Sequence, residues 1–585
     1  MEFRYWVSLS FSLLLVFSGC GGTSSSSGSG GGGGGGSGGN NPVPVILVVD
    51  PPAAVTDGPD YYESVFGSSF VPSSTVQWDG TSLQTTFVNS TQLAAVVPNS
   101  ARRSSGTAAL TVVNPTPGGG TSNAVSVMVG NPSTPSGIGV LQLVSAAMDG
   151  SAGNGNSYTG AAITPNGRYV AFQSDATNLV AGPSSGFADI YVRDTCVGAT
   201  TSCTPATMRA SVAQDGSLPN GNNRSAAISS SGRYVVFDSS ATNLVPNVSN
   251  GHAHVYLRDT CIEAGASCSP TTSEISVAMD GSQGNDDSDL AAISSDGRFV
   301  AFGSVATNLV PGDTNGWMDL FLRDTCFGAS IGCTPSTSRI SVAADATQSN
   351  APSAYPSLSA DGRYVSYRTE ATNLVSNGSP VVLHDTCFGV TAGCTPSNRG
   401  IYVGYAGDKV KGAVDNLWLL SRNARFSGFG AESPNLVPGD SGQKVGAFAY
   451  DDCIGASSTC VPHTFKVSLT YNGGQPDSGS VAAAASDDGN YVVFISIADN
   501  ILSYAYISSA VYVRQTCATA AAGCIPTTYL LSFDSSTGSQ ANSQYSDLPM
   551  ITPDGHYATF ISTANNWKGA LQSNGLTQVW LARVH

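Results

Sequence analysis

The sequence predicts an all-β fold: a small β-sandwich followed by a seven-bladed β-propeller whose N-terminal strand closes the last blade. Three observations carry this. A phrase of the type Asp-Gly-Arg-aromatic-Val recurs seven times at spacings of about 62–67 residues. Each copy sits among four short strand candidates. The seventh unit lacks its fourth strand, and a segment of matching character precedes the first unit. The bulk composition agrees. A chain of 585 residues is too long for one core. Charged residues make up 11%, and helix-forming runs give way to short β-branched and aromatic runs punctuated by Gly, Asp and Asn. The net charge of -16 disfavours nucleic acid as a partner, because like charges repel; solubility is the plain reading of that acidity.

The N-terminus reads as an address. Arg4 precedes an apolar run through Leu13, Leu14, Leu15, Val16 and Phe17, the length of a signal-peptide core and too short to span a bilayer. The run ends in Phe17-Ser18-Gly19-Cys20. This resembles the lipobox of bacterial lipoproteins, which implies cleavage after residue 19 and acylation of Cys20. Phe17 departs from the usual Leu of that motif. By the same family's sorting rule, Gly21 in place of Asp implies the outer membrane. The membrane is then reached through the lipid anchor only, each buried methylene contributing about 0.8 kcal/mol. The Gly/Ser segment over 20–41 cannot bury apolar surface and reads as a flexible tether with a reach of roughly 25 Å.

The next segment, 42–131, reads as a small β-sandwich. Its runs include Val45-Ile46-Leu47-Val48-Val49, Val76-Gln77-Trp78, Leu93-Ala94-Ala95-Val96-Val97 and Ala109-Leu110-Thr111-Val112-Val113, with Asp79-Gly80 as a hairpin turn. The phrases Gly67-Ser68-Ser69-Phe70-Val71-Pro72, Val76-Gln77-Trp78-Asp79-Gly80 and Asn114-Pro115 followed by Gly118-Gly119-Gly120-Thr121-Ser122-Asn123 resemble an IPT/TIG domain. The resemblance implies an immunoglobulin-like fold and a spacer or interaction role. A short linker, 132–138, follows.

The remainder, 139–585, is the repeat. Its turn copies run from Asn166-Gly167-Arg168-Tyr169-Val170 to Asp554-Gly555-His556-Tyr557, with Asn423-Ala424-Arg425-Phe426 as the most divergent. An Asn follows each turn by about ten residues: Asn178, Asn243, Asn308, Asn373, Asn435, Asn500 and Asn565. In the third unit the strands read as Leu290–Ile293, Arg298–Phe302, Asp319–Arg323 and Arg339–Val342. The second is apolar at consecutive positions, as a strand covered on both faces would be. Radially stacked blades supply that environment. Pairs such as Ala161-Ala162 and Ala291-Ala292 in the first strand suit an innermost position. The chain reaches a third strand at Gln578–Ala582, and Leu141–Ala146 reads like a fourth strand, so the two should pair and remove an exposed edge. Phe187-Ala188-Asp189-Ile190-Tyr191-Val192 and Pro553-Asp554-Gly555 resemble WD40-like (PD40) blades of the kind found in TolB, which implies fold far more than function.

Twelve cysteines form six pairs, each with six residues between: Cys196/Cys203, Cys261/Cys268, Cys326/Cys333, Cys387/Cys394, Cys453/Cys460 and Cys517/Cys524. Each pair lies between the third and fourth strands, opposite one another at the mouth of a hairpin loop, which is disulfide geometry. An exported chain meets the oxidising compartment that disulfides need. Zinc sites use shorter spacings and four ligands. Each bond should contribute about 2.5 kcal/mol by loop closure.

Chemistry is sparse. His252 and His254 lie two apart on an expected strand, as a metal pair or as exposed loop-end residues. No nucleophile elbow occurs outside the tether. A sialidase Asp-box would place Trp where this repeat has Tyr or Phe, so that likeness fails. The crossing loops and the second-to-third strand loops share one face. In the third unit they offer Asp286, Asp287, Asp289, Asp313 and Trp317 as ligand-binding candidates. With Asn285 and Gly284 the carboxylates could bind calcium; a solvated acidic loop is the alternative. Trp567 is a second aromatic candidate, for contact or for core. No other cofactor is expected. The sequence therefore points to a non-catalytic envelope scaffold whose propeller face binds an envelope or extracellular protein or glycan. The alternatives are an extracellular polysaccharide hydrolase or lyase, which needs converging carboxylates, and a purely structural envelope spacer.

Overall fold

A computed structural model describes residues 40–585 except 132–137, 247–249, 330–331, 403, 409, 504–508, 520–522, 537–538, 543–544 and 568–574. Cys20 and the expected leader lie outside the described residues, as does nearly all of the tether. The described chain is all-β; its one assigned helix is a four-residue 3-10 turn at Asn99–Arg102.

Residues 45 to 130 form two sheets around a shared core. One contains Val45–Asp50, Tyr61–Ser68, Gln92–Val97 and Gln84–Asn89; the other is built on Gly106–Asn114, flanked by Thr75–Trp78 and Val125–Gly130. Alternate side chains of these strands point inward, so Val65, Val76, Trp78, Leu93, Leu110 and Val127 meet in one cluster. Asp79 and Gly80 both take positive φ, and the tight turn pairs Trp78 with Thr81.

After residue 140 the described chain forms seven four-stranded antiparallel sheets. Sheet 1 comprises Ser157–Ile163, Tyr169–Ser174, Asp189–Asp194 and Ala206–Arg209; sheet 2 comprises Asn223–Ile228, Tyr234–Ser239, His254–Asp259 and Thr271–Glu274. Sheet 3 comprises Ser288–Ile293, Phe299–Ser304, Asp319–Asp324 and Ser336–Arg339; sheet 4 comprises Ser353–Leu358, Tyr364–Thr369, Val381–Asp385 and Ser397–Gly400. Sheet 5 comprises Ala413–Leu420, Phe426–Glu432, Gly446–Asp451 and His463–Lys466; sheet 6 comprises Ser480–Ala485, Tyr491–Ser496, Ala510–Gln515 and Thr527–Leu530. Sheet 7 comprises Ser546–Ile551, Tyr557–Ser562 and Gln578–Arg583, and its fourth strand is Leu141–Leu143, with Leu143 opposite Trp580.

The first strands touch in cyclic order, sheet 1 to sheet 7 and sheet 7 back to sheet 1. The turn motif shows why. In sheets 2, 3 and 4 the turn glycine lies under the aromatic ring of the preceding sheet's motif: Gly232 under Tyr169, Gly297 under Tyr234 and Gly362 under Phe299. Gly167 of sheet 1 lies under Tyr557 of sheet 7 in the same way. A Cβ at any of these glycines would come to 2.8 Å or closer to the ring, so the glycine and the aromatic residue are one device. Thr559 Oγ1 of sheet 7 also donates to Ala161 O of sheet 1 at 2.7 Å.

The fourth strands sit earlier than expected. In sheet 3 the strand is Ser336–Arg339 and not Arg339–Val342. As the outer strand it favours polar residues, while Ile340 leaves the ladder and drops to 3% exposure between sheets 3 and 4. Ser341 then closes the turn, donating to Asp319 Oδ1 at 2.6 Å and accepting from Leu320 N–H at 3.0 Å.

Candidate functional site

The repeat arginine is a structural clamp. Arg168, Arg233, Arg298, Arg363 and Arg425 each grip the carboxylate at the end of the third strand with two parallel bonds. The five partners are Asp194, Asp259, Asp324, Asp385 and Asp451; Nε–Oδ1 is 2.9–3.1 Å and Nη2–Oδ2 is 2.7–3.0 Å. Each guanidinium also stacks on the aromatic residue that follows it, 4.7–5.0 Å from the ring centre. The same Oδ1 accepts the N–H of the first cysteine of the pair at 2.8–2.9 Å, holding that residue at φ 60–64°. The bond to Arg363 holds the Asp385 carboxyl below its ordinary range.

Six disulfides join Cys196 to Cys203, Cys261 to Cys268, Cys326 to Cys333, Cys387 to Cys394, Cys453 to Cys460 and Cys517 to Cys524, with Cα separations of 5.6–5.8 Å. In sheets 1 to 5 an aspartate and two sulfurs come within ligand distance of one another. Metal is not served there: the sulfurs are covalently paired and the carboxylate is held by the arginine.

The acidic residues expected to act together are separated. Asp286 and Asp287 gather around His252, whose Nδ1 lies 3.2 and 3.4 Å from their oxygens. Asp313 is drawn away by Arg339, at 2.9 Å and with only 4% of its side chain exposed. Asp289 lies half-buried on the first strand of sheet 3. Asn285 is spent as well: its Nδ2 donates to Thr307 Oγ1 at 3.0 Å, its Oδ1 accepts Thr307 N–H at 2.9 Å, and its own N–H donates to Asn308 Oδ1. Gly284 O accepts Asn250 Nδ2. The oxygen set read as a calcium site is therefore not assembled, because the crossing loop uses those oxygens to lock itself to its own sheet through Asn285 and to sheet 2 through Gly284, Asp286 and Asp287. His252 and His254 are not a pair either. His254 begins the third strand of sheet 2 fully buried, its Nε2 2.9 Å from Asn250 Oδ1. Trp317 is exposed on the loop face at 46%. Trp567 is core, packed edge-on against Trp580.

Asp289 has a different neighbour. Burial, and then the charge of Asp238 on sheet 2, push its carboxyl up to about 7. Asp238 is itself buried and raised, chiefly by desolvation. Oδ1 of each carboxylate is sealed from solvent without a hydrogen-bond partner.

At the opposite end, beside the glycine turns, backbone bonds pass from sheet to sheet: Ser230 N–H to Ser295 O, Ser295 N–H to Ala360 O, and Ala360 N–H to Arg422 O. Arg422 then reaches from sheet 5 to Ser230 Oγ at 2.6 Å on sheet 2 and to Ser295 Oγ on sheet 3. Burial lowers its pKa. The repeat pattern carries a signal for this residue, since the equivalent positions hold Pro165, Ser230, Ser295, Ala360, Asp487 and Pro553.

A cavity lies where the first two sheets of the chain rest against the outer edges of sheets 5 and 6. It is a cleft of about 510 Å³. Phe66 and His463 meet at a tilt of 45° across this seam, with ring centres 4.9 Å apart, and Ile525 packs with Ala53 and Val55. His463 Nδ1 donates to Val461 O at 2.8 Å, which turns Nε2 toward Asp50 Oδ2 at 4.0 Å. Arg102 lies over the Tyr61 ring, its terminal nitrogens bound to the carbonyls of Val55, Gly58 and Pro59. Burial raises the Asp50 carboxyl and lowers Arg514 to about 10. Tyr61 donates to Glu63 Oε2 at 2.6 Å, and burial holds the Glu63 carboxyl well above its ordinary range. Sequence reasoning missed this set, because its members lie as far apart as residues 50 and 514 and no motif links them.

The chain matches no protein-family model and no curated protein. Among solved structures it is similar to a putative phosphatase from Bacteroides thetaiotaomicron, at 13% identity, covering 92% of this chain and 97% of that one, with a TM-score of 0.28. It is also similar to an auxiliary nutrient binding protein from Bacteroides ovatus, at 9% identity, covering 79% and 96%, with a TM-score of 0.27. A third similarity is to the NanB sialidase from Streptococcus pneumoniae, at 10% identity, covering 90% and 89%, with a TM-score of 0.28. At these TM-scores none of the three transfers a function to the chain.

Proposed function

We propose that the chain is a lipid-anchored cell-envelope scaffold that binds a protein or glycan partner without chemistry. In this reading the first unit is an immunoglobulin-like module of the IPT/TIG kind, and the seven sheets are the blades of a TolB-like, PD40 propeller sealed by Leu141–Leu143. The cyclic packing of the sheets and the pairing of Leu143 with Trp580 support the propeller. The observation that carries the binding role is the cleft of about 510 Å³ at the seam, within the range of ligand sites and lined by buried ionic and aromatic groups. Affinity capture with the full chain against envelope fractions, alongside a glycan array, tests it. A partner or glycan retained specifically supports the scaffold; silence in both arms overturns it in favour of the spacer. Cys20→Ala should abolish labelling by radioactive palmitate and release the protein from the membrane fraction; unchanged labelling refutes the anchor.

A polysaccharide hydrolase is the second reading, favoured by one observation: Asp238 and Asp289 are neighbouring carboxylates whose Oδ1 atoms are sealed from solvent, and burial pushes the Asp289 carboxyl up to about 7, the range a general acid at neutral pH needs. Release of reducing ends from extracellular polysaccharide, lost in Asp289→Asn, would support it; no release overturns it.

A further inference from the structure

We infer that the seam cleft holds a small carboxylate ligand, gripped by Arg514 on one wall and met by Asp50 on the other. This rests on the binding reading and names its ligand class. Arg514 is 95% buried, its exposure being 5%, and it lines the cleft. One terminal nitrogen donates to Thr470 O at 3.2 Å and Thr528 Oγ1 at 3.1 Å. Among the described residues its Nε and second terminal nitrogen make no hydrogen bond. The equivalent arginines of sheets 1 and 2, Arg193 and Arg258, make the same bond to a fourth-strand threonine, but their Nε atoms are sealed from solvent. Arg323 of sheet 3 makes the bond too, to Thr337 Oγ1 at 2.9 Å, but of these four arginines it is Arg514 that lines the cleft left by the first unit, and two parallel N–H donors match a carboxylate.

Charge agrees. The whole chain carries 24 Lys and Arg against 40 Asp and Glu. Four cations (Arg102, Arg425, Lys466, Arg514) and three carboxylates (Asp50, Asp60, Asp451) line the cleft. Arg425 is neutralised by Asp451 and Lys466 by Asp440, each at 2.8 Å. Among the described residues Arg514 has no such partner, and Asp50 makes an ionic approach only to His463, at 4.0 Å. Asp50 selects against a doubly charged phosphate and offers an acceptor to a hydroxyl or an ammonium. An acidic sugar and a free amino acid both present a carboxylate with such a donor nearby, and both fit about 510 Å³.

Titration calorimetry on the full chain at neutral pH tests the inference with D-galacturonate, L-glutamate and D-galactose. Binding of galacturonate alone assigns an acidic sugar, of glutamate alone an amino acid, and of both the shared carboxylate chemistry. Arg514→Lys should weaken binding at least about tenfold, because lysine cannot form the bidentate pair. Should that variant lose its melting transition, Asp50→Asn on the opposite wall replaces it, with at least about a tenfold change expected. Equal binding of galactose, unchanged affinity in the folded variant, or no heat from either acid at about 10 mM overturns the proposal. Capture of an envelope partner by the same preparation would show the scaffold reading surviving that failure.

Discussion

Ser145→Ala asks whether the segment before sheet 1 is structurally part of sheet 7. Ser145 Oγ donates to Gln578 Oε1 at 2.6 Å and accepts Val579 N–H at 2.9 Å, and all three residues are fully buried. Neighbouring bonds run from Val144 N–H to Val579 O and from Arg583 N–H to Val140 O. Alanine leaves one buried donor and one buried acceptor without partners, where water cannot reach. Each orphan costs about 1–2 kcal/mol, so the loss should be about 2–4 kcal/mol. Ser341→Ala is the matched control, because Ser341 makes the same pair of bonds inside sheet 3, from a strand that is local in sequence. Urea unfolding followed by tryptophan fluorescence reads both variants, and hydrogen exchange at the Val579 amide reads the joint itself. Comparable losses are expected. A Ser145→Ala effect below about 0.5 kcal/mol beside a full Ser341→Ala effect would refute the idea that this distant strand is integral.

Asp289 keeps its proton in the folded chain up to about 7 while the unfolded chain releases it near the ordinary value, so native stability should fall as pH rises between those values. Asp289→Asn should match the parent near pH 4 and exceed it by about 1–3 kcal/mol near pH 8; parallel pH profiles would contradict this. Replacing Cys326 and Cys333 together by serine should cost about 2–3 kcal/mol by calorimetry, and a change under about 0.5 kcal/mol would mean the loop is held by the Arg298–Asp324 clamp alone. Trp567→Ala should cost about 3–5 kcal/mol, and Trp317→Ala should stay within about 0.5 kcal/mol, because the first ring is fully enclosed and the second stands in solvent; similar melting shifts would reject that assignment.

Strand content, the four-strand unit and its sevenfold recurrence are legible in the sequence because they are written in short-range patterns. Val170–Phe172 and Val300–Phe302 are apolar at successive positions, and a strand side chain has only two directions to point. The cysteine spacing is legible for the same reason, since a hairpin brings near neighbours face to face. The pairing of residue 143 with residue 580 is long-range, yet it could be read from the phase of the repeat. Tertiary structure alone decided which polar groups remain available. Asp313 and Asp286 look alike in a loop, but Arg339 folds onto the first and His252 onto the second. Arg514 borders a cleft because a separate unit, some 400 residues earlier, stands off from sheet 6 by the width of that cleft. Backbone pattern follows from neighbours along the chain; the partners of a buried charge follow from surfaces that meet only when sheets and units pack.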